Sequence, residues 1–214
     1  MMDVPQKRAM CARCLRAASA CICACVEVAL PLTEVLILQH PQEACHIKSS
    51  GRLLHLCLPQ SQIEVGIAFD EVTLRSWLNG GAKQSVLLYP ETEDHEILKK
   101  ANFEIAPSTS VYQDQPASAL RLVVIDASWR QSRAMLAANP SLLQLPRISL
   151  QEVPASQYLI RQAHKADQLS SLEACAYALQ RIDESFTGTT QLLNAFARFN
   201  HMQIAAGVHR LHRS

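Results

Sequence analysis

The chain has 214 residues, 49% hydrophobic and 18% charged, with only 6 Gly and 10 Pro. That is one ordinary domain with a sizeable core, and it excludes a disordered or low-complexity protein. The formal net charge is +1, and the apolar stretch near the start is broken by charge and proline. Neither a membrane helix nor a secretory signal is expected, so the reading is a soluble, cytoplasmic protein with no membrane partner.

Charge is unevenly spread. Arg outnumbers Lys 14 to 6, and Arg forks onto phosphates and carboxylates where Lys offers a point charge. Lys7 to Arg16, Arg121 to Arg147 and Arg198 onward are basic stretches, while acids collect around Glu91 to Glu96. Local basic faces on a near-neutral protein suit an RNA ligand, and they also occur as plain solvated surface.

The first element is a cysteine cluster. Cys11-x2-Cys14 has zinc-knuckle spacing and Cys21-x-Cys23 forms a tighter clasp. Four thiolates close a tetrahedral zinc site without an open position, which makes it structural rather than catalytic. Such a site staples a segment of residues 1–30 too short to build its own core, leaving 31–214 as an α/β domain. Cys25 is an alternative to Cys23 as fourth ligand, and reduced surface thiols are the bland reading. Cys45, Cys57 and Cys175 read as core fillers.

From Leu32 on, short β-branched runs alternate with helical patterns. Thr33 to Gln39 reads as a buried strand, and Ala44 to Leu56 as a helix interrupted by Ser-Ser-Gly at 49–51. Gln62 to Phe69 is a strand, Asp70 to Leu78 a short helix, Ser85 to Tyr89 a strand and Glu93 to Ala101 a helix. Leu120 to Ile125 is the clearest strand. Trp129 to Ala138 is a helix stopped by Asn139-Pro140, and Arg147 to Leu150 closes the strands. Ser170-Ser-Leu-Glu173 is a capping box before an apolar helix, and Gly188-Thr-Thr precedes a long one. The alternation predicts an α/β fold with a mostly parallel sheet.

Ligands bind at the carboxyl ends of such strands. Three of those ends carry unusual polar residues: Gln39-His40-Pro41-Gln42-Glu43, Tyr89-Pro90-Glu91 and Asp126-Ala127-Ser128-Trp129-Arg130. Taken singly, Asp126 reads as a helix cap with Ser128 sharing that work. No GxGxxG or P-loop pattern occurs, which disfavours Rossmann dinucleotide enzymes and P-loop kinases.

Together, the cysteine pattern, Leu38-Gln39-His40-Pro41-x-Glu43, Leu88-Tyr89-Pro90, Asp126-Ala-Ser-Trp129-Arg130-Gln131 and Leu169-Ser170-Ser171-Leu172-Glu173-Ala174 resemble the DTW-domain family. The resemblance runs from Cys11 to Ala178. Ser128 stands where the family's Asp-x-Thr-Trp motif has Thr and keeps the hydroxyl, while Gln162-Ala163-His164-Lys165 departs from the family's usual stretch after Arg161.

The resemblance implies a tRNA-uridine aminocarboxypropyltransferase. Such an enzyme moves the 3-amino-3-carboxypropyl group of S-adenosylmethionine to the ring imide nitrogen of a variable-loop uridine, releasing methylthioadenosine. It also implies a SPOUT-like fold, knotted around the cofactor site. On that chemistry Asp126 is the candidate proton acceptor, with Ser128 and Trp129 beside it in the motif. Gln39, His40, Pro41, Tyr89 and Pro90 shape the S-adenosylmethionine pocket, and Leu169 and Ser170 offer backbone groups to the adenosine. Arg130 or Arg161 holds the arm's carboxylate. Zinc clamps an RNA-binding segment beside Arg13 and Arg16. The alternatives are an S-adenosylmethionine-dependent RNA methyltransferase and a non-enzymatic zinc-containing RNA-binding module.

Overall fold

The computed structural model describes residues 9–90, 114–150, 154, 156 and 169–207. Among them, five strands form one all-parallel sheet in the order β2-β1-β4-β3-β5. The strands are β1 (Glu34–Gln39), β2 (Gln62–Val65), β3 (Gln84–Leu88), β4 (Leu120–Asp126) and β5 (Arg147–Ile148). Their apolar runs are continuous because both faces are covered. Val35, Ile37, Val86, Leu122, Val124 and Ile148 meet helices α2 (Gly51–Cys57), α6 (Ser171–Ile182) and α7 (Thr189–Ala205). Leu36, Leu38, Leu87, Val123 and Ile125 meet α3 (Glu71–Asn79), α4 (Trp129–Ala138) and α5 (Pro140–Leu143) on the other face.

The expected α/β class and parallel sheet are present, with differences at the ends of elements. The helix expected over 44–56 is two pieces, α1 (Pro41–Cys45) and α2, separated by a turn that carries Ser49. β2 and β5 are shorter than the apolar runs suggested. Cys57 and Cys175 are buried as expected, but Cys45 is exposed at the last position of α1. The helix expected over 93–101 lies outside the described residues. The final helix turns Leu192, Phe196 and Phe199 into the core.

The cysteine segment packs on this framework. Cys14, Ile22, Cys25 and Ala29 belong to the same buried cluster as α2, α6 and α7. Among the described residues, no helix is long and apolar enough to cross a membrane.

The strand order fixes where a ligand can bind. β1 leads outward to β2, whereas its neighbour β4 leads the opposite way, past β3, to β5. The helices that follow, α2 and α4, lie on opposite faces. Adjacent strands whose connections diverge leave a crevice beyond their carboxyl ends. Here that crevice opens beyond Gln39 and Asp126.

Candidate active site

Gln39 and Asp126 are register partners at the ends of β1 and β4. Both are buried, Asp126 at 3% exposure. Gln39 Nε2 donates to Asp126 Oδ2 at 2.8 Å, and Ser49 Oγ donates to the same oxygen at 3.1 Å. The Ser171 side chain is a third hydrogen-bond partner of the carboxylate. A Cβ at Gly51 would lie 2.1 Å from Oδ2, so the first residue of α2 must be glycine for the carboxylate to sit there.

Among the described residues, the hydrogen-bond partners of this carboxylate are all neutral. Burial pushes its pKa above the ordinary carboxylate value, and the charge of Glu43 adds to that. The hydrogen bonds from Ser171, Gln39 and Ser49 oppose the shift without cancelling it. The result is a carboxylate with greater proton affinity than a solvated Asp. Gln39 Oε1 is buried and has no hydrogen-bond partner among the described residues.

Next to this cradle, toward β3 and β5, lies an open cleft of about 190 Å³. Tyr89 and Trp129 form one wall, packed edge to face at 5.7 Å and 71°. The Tyr89 hydroxyl bonds Ser132 Oγ at 3.0 Å, and the Arg147 guanidinium sits 5.4 Å from the Tyr89 ring. Arg147 also donates to the Pro90 carbonyl at 3.1 Å. These contacts hold the aromatic wall in one orientation, which suits a flat heterocycle. Leu150, Leu169 and Ser171 also line the cleft. Ser171 therefore touches both the cleft and Asp126.

The predicted residues divide into groups. Tyr89, Pro90, Trp129 and Leu169 line the cleft. Gln39, His40 and Pro41 do not line it; they lie on the far side of Asp126. His40 caps α1, its Nδ1 accepting from Gln42 N at 3.2 Å, and Pro41 is the first helical residue. Ser128 caps α4 in a box with Gln131, its hydroxyl donating to Gln131 Oε1 at 2.7 Å. Gln131 Nε2 then donates to Gln42 Oε1 at 2.6 Å and ties the two motifs together. Ser170 caps α6, its Oγ accepting from Glu173 N and its N–H donating to Glu173 Oε2.

Arg13 and Arg130 are exposed. Arg16 instead donates to the carbonyls of Ile47 and Ser49, at 2.7 and 2.8 Å, and lies over the Phe199 ring. Arg161 lies outside the described residues. Ser49, Gly51 and Ser171 were not anticipated as site residues. The Ser-Ser-Gly break in a helical pattern was the visible signal for the first two.

The Sγ atoms of Cys11, Cys14, Cys21 and Cys23 lie within 4.8 Å of one another. A zinc–sulfur bond of about 2.3 Å implies tetrahedral sulfur–sulfur edges of about 3.8 Å. Cys11–Cys23 and Cys14–Cys21 are separated by 3.7 and 3.8 Å. The donor set therefore fits a tetrahedral thiophilic ion. The N–H groups of Cys14 and Arg13 draw the Cys11 thiol down to about 6, while burial, with the neighbouring thiols, pushes Cys23 up to about 12. Cys25 is turned elsewhere, its sulfur 3.9 Å from that of Met202.

Comparison with known proteins adds a family. A family model described as the DTW domain matches residues 8–204. Three curated proteins named tRNA-uridine aminocarboxypropyltransferase 2 are similar to the chain. The one from Macaca fascicularis is 29% identical over 190 residues, covering 86% of this chain and 60% of its own length. The Mus musculus protein is 30% identical over 189 residues, covering 84% and 58%. The Drosophila melanogaster protein is 30% identical over 189 residues, covering 83% and 68%. The chain thus spans about 60% of the length of the two mammalian relatives. No solved structure matches.

Proposed function

Because the chain belongs to the DTW-domain family, we propose that it transfers the 3-amino-3-carboxypropyl group of S-adenosylmethionine to the ring imide nitrogen of a tRNA uridine. The observation that carries this is the convergence of three motif segments on one carboxylate. Gln39 from β1, Asp126 from β4 and Ser171 from α6 meet beside a cleft walled by Tyr89 and Trp129. The names of the relatives supply the reaction class.

In the proposed step, the imide nitrogen attacks the γ-carbon of the amino-acid arm and the carbon–sulfur bond breaks. Its electron pair stays on sulfur, and neutral methylthioadenosine leaves. The imide proton passes to the Asp126 carboxylate, with the Ser171 hydroxyl as relay because Ser171 is the partner that also faces the cleft. The raised proton affinity of Asp126 favours that acceptance. Tyr89 and Trp129 hold the adenine, and the N-terminus of α6 offers backbone donors near Leu169 and Ser170. Arg130 or Arg161 is the candidate for the arm's carboxylate, and Arg13 for tRNA phosphate.

Cys11, Cys14, Cys21 and Cys23 would hold a zinc ion, which supplies a closed structural staple for residues 1–30 against the α/β domain of 31–214. A SPOUT-like, knotted chain path and a cytoplasmic location belong to the same proposal. The family resemblance implies the first, and the all-parallel sheet agrees with it.

The test is mass spectrometry of nucleosides from unmodified tRNA incubated with protein and S-adenosylmethionine. The expected product is an aminocarboxypropyl uridine together with methylthioadenosine, lost with Asp126→Ala at unchanged fold. A methylated nucleoside with S-adenosylhomocysteine would keep the donor and overturn the transfer chemistry. Full turnover by Asp126→Ala would remove the carboxylate from the mechanism.

A further inference from the structure

Arg16 belongs to a basic stretch that reads as an RNA contact, yet its half-buried guanidinium is engaged by the protein's own backbone. Its backbone is set by the cysteine loop: Cys11 N–H donates to the Arg16 carbonyl at 2.8 Å, and Leu15 N–H to the Cys11 carbonyl at 2.9 Å. Leu15 takes a φ of 59° to close this turn. From that anchored position the side chain crosses to the turn between α1 and α2. There Nη1 and Nη2 bond the carbonyls of Ile47 and Ser49 while the Phe199 ring, 5.3 Å away, backs the guanidinium.

That turn builds the cradle. Lys48, Ser49 and Ser50 are all buried, and the turn is closed by Ser49 N–H to the His46 carbonyl. Ser49 Oγ then donates to Asp126 Oδ2, and Gly51 follows against the same oxygen. One residue thus receives the Arg16 fork on its carbonyl and delivers a hydrogen bond to the active-site carboxylate from its hydroxyl. A planar guanidinium can fix two carbonyls at once, whereas an ammonium is a single flexible point.

We propose that Arg16 is a positioning residue for Asp126, and that the cysteine tetrad acts through it. An ordered thiolate loop holds Arg16, Arg16 holds Ser49, and Ser49 holds the carboxylate beside the cleft. Loss of metal from the four thiolates, or their oxidation to disulfides by an added two-electron oxidant, loosens the cradle without touching the cleft wall. The catalytic consequence rests on the transferase reading; the structural coupling does not.

The experiment is hydrogen exchange on the full, zinc-loaded chain, paired with kinetics and tRNA titration. Arg16→Ala raises exchange across residues 46–51 by about tenfold or more, with α6 and α7 unchanged. It lowers kcat by about 10–100-fold while tRNA affinity stays within about twofold. Arg16→Lys restores part of both. Chelation of the wild type gives the same exchange signature at 46–51, and chelation of Arg16→Ala adds nothing further there.

Protection of 46–51 that survives either Arg16→Ala or chelation overturns the proposal. So does a loss of tRNA affinity with kcat retained, which would make Arg16 a phosphate contact. If Arg16→Ala does not fold, Arg16→Lys and chelation of the wild type still decide. If the wild type transfers nothing to tRNA, the transferase reading fails and the exchange results judge the coupling alone.

Discussion

The β1–β4 pair has two ends built from different chemistry. At the amino end, Glu34 pairs in register with Arg121, whose Nη2 lies 2.7 Å from the Glu34 carboxylate. Lys83 approaches the same group at 3.5 Å, and Arg121 also bonds the carbonyls of Trp77 and Gly80. Burial raises the Glu34 pKa, but the Arg121 hydrogen bond and charge, with Lys83, outweigh it and hold the group below the ordinary value. At the carboxyl end Asp126 meets Gln39, Ser49 and Ser171, and its proton affinity rises. A protein that wanted only stability would neutralise both carboxylates. Leaving one buried among neutral donors, at a topological switch point and beside a cleft, is the pattern of a site kept for chemistry.

The largest contrast is expected from adding one methyl group at each end. At Gly51 the new Cβ falls 2.1 Å from Asp126 Oδ2 and 2.6 Å from its Cγ, so either the carboxylate or α2 must shift. Gly51→Ala is expected to cut turnover by about 100-fold and to cost about 1–3 kcal/mol of stability. At Gly80 the nearest atom is the end of the Arg121 side chain at 4.0 Å, so Gly80→Ala should stay within about 0.5 kcal/mol and keep full turnover. Urea unfolding and single-turnover assays on both variants make the comparison. Equal behaviour of the two glycines would mean the cradle is not built this way.

Why the sequence revealed some of this and hid the rest follows from the kind of information each feature needs. The strands were legible because a sheet covered on both faces needs unbroken apolar runs, as in Val35 to Leu38 and Leu122 to Ile125. Asp126 and Gln39 stood out as polar residues ending such runs. That they bond each other depends on β1 lying beside β4, a non-local pairing that local periodicity does not encode. The same limit hid Ser171, which reads locally as an ordinary first-turn residue. The Ser49–Gly51 break was visible, but its reason, the carboxylate of a residue 75 positions beyond Gly51, was not. Arg16 shows the converse. A basic residue in a basic stretch looks the same whether its partner is a phosphate or two backbone carbonyls. The choice between Cys23 and Cys25 likewise waited on which sulfur turns inward to the tetrad.

A smaller effect is expected from removing the cation at the amino end. Arg121→Met keeps much of the stem while deleting the contact to Glu34 and the bonds to two carbonyls. Glu34 is more than a third exposed, so the ion pair itself is worth little after solvent screening. The loss of hydrogen bonds at the largely buried guanidinium should dominate, at about 1–3 kcal/mol. Turnover per folded molecule should not change, because the cleft and cradle lie at the other end of β4. A fall in kcat with intact stability would show that the two ends communicate along the strand.

The subtlest separation is in pH dependence. For Asp126 the folded chain raises the pKa above its ordinary 3.8, so the folded state binds the proton more tightly than the unfolded one. That favourable contribution is full below 3.8 and is lost as pH rises through the raised folded value. Asp126→Asn removes the titration while keeping an oxygen for Gln39 and Ser49. Its stability relative to wild type should therefore improve as pH rises from about 4 to 7. Glu34 has the opposite sign. Its folded pKa lies below the ordinary 4.5, so its contribution is present above that value and lost as pH falls through the lowered one. Glu34→Gln should therefore cost most near neutrality and little in acid. Denaturation midpoints of the two variants across that pH range should diverge from wild type in opposite directions. Parallel curves for Asp126→Asn and wild type would mean that the hydrogen bonds to this carboxylate cancel the cost of its burial, and the raised proton affinity assigned to that end would be lost.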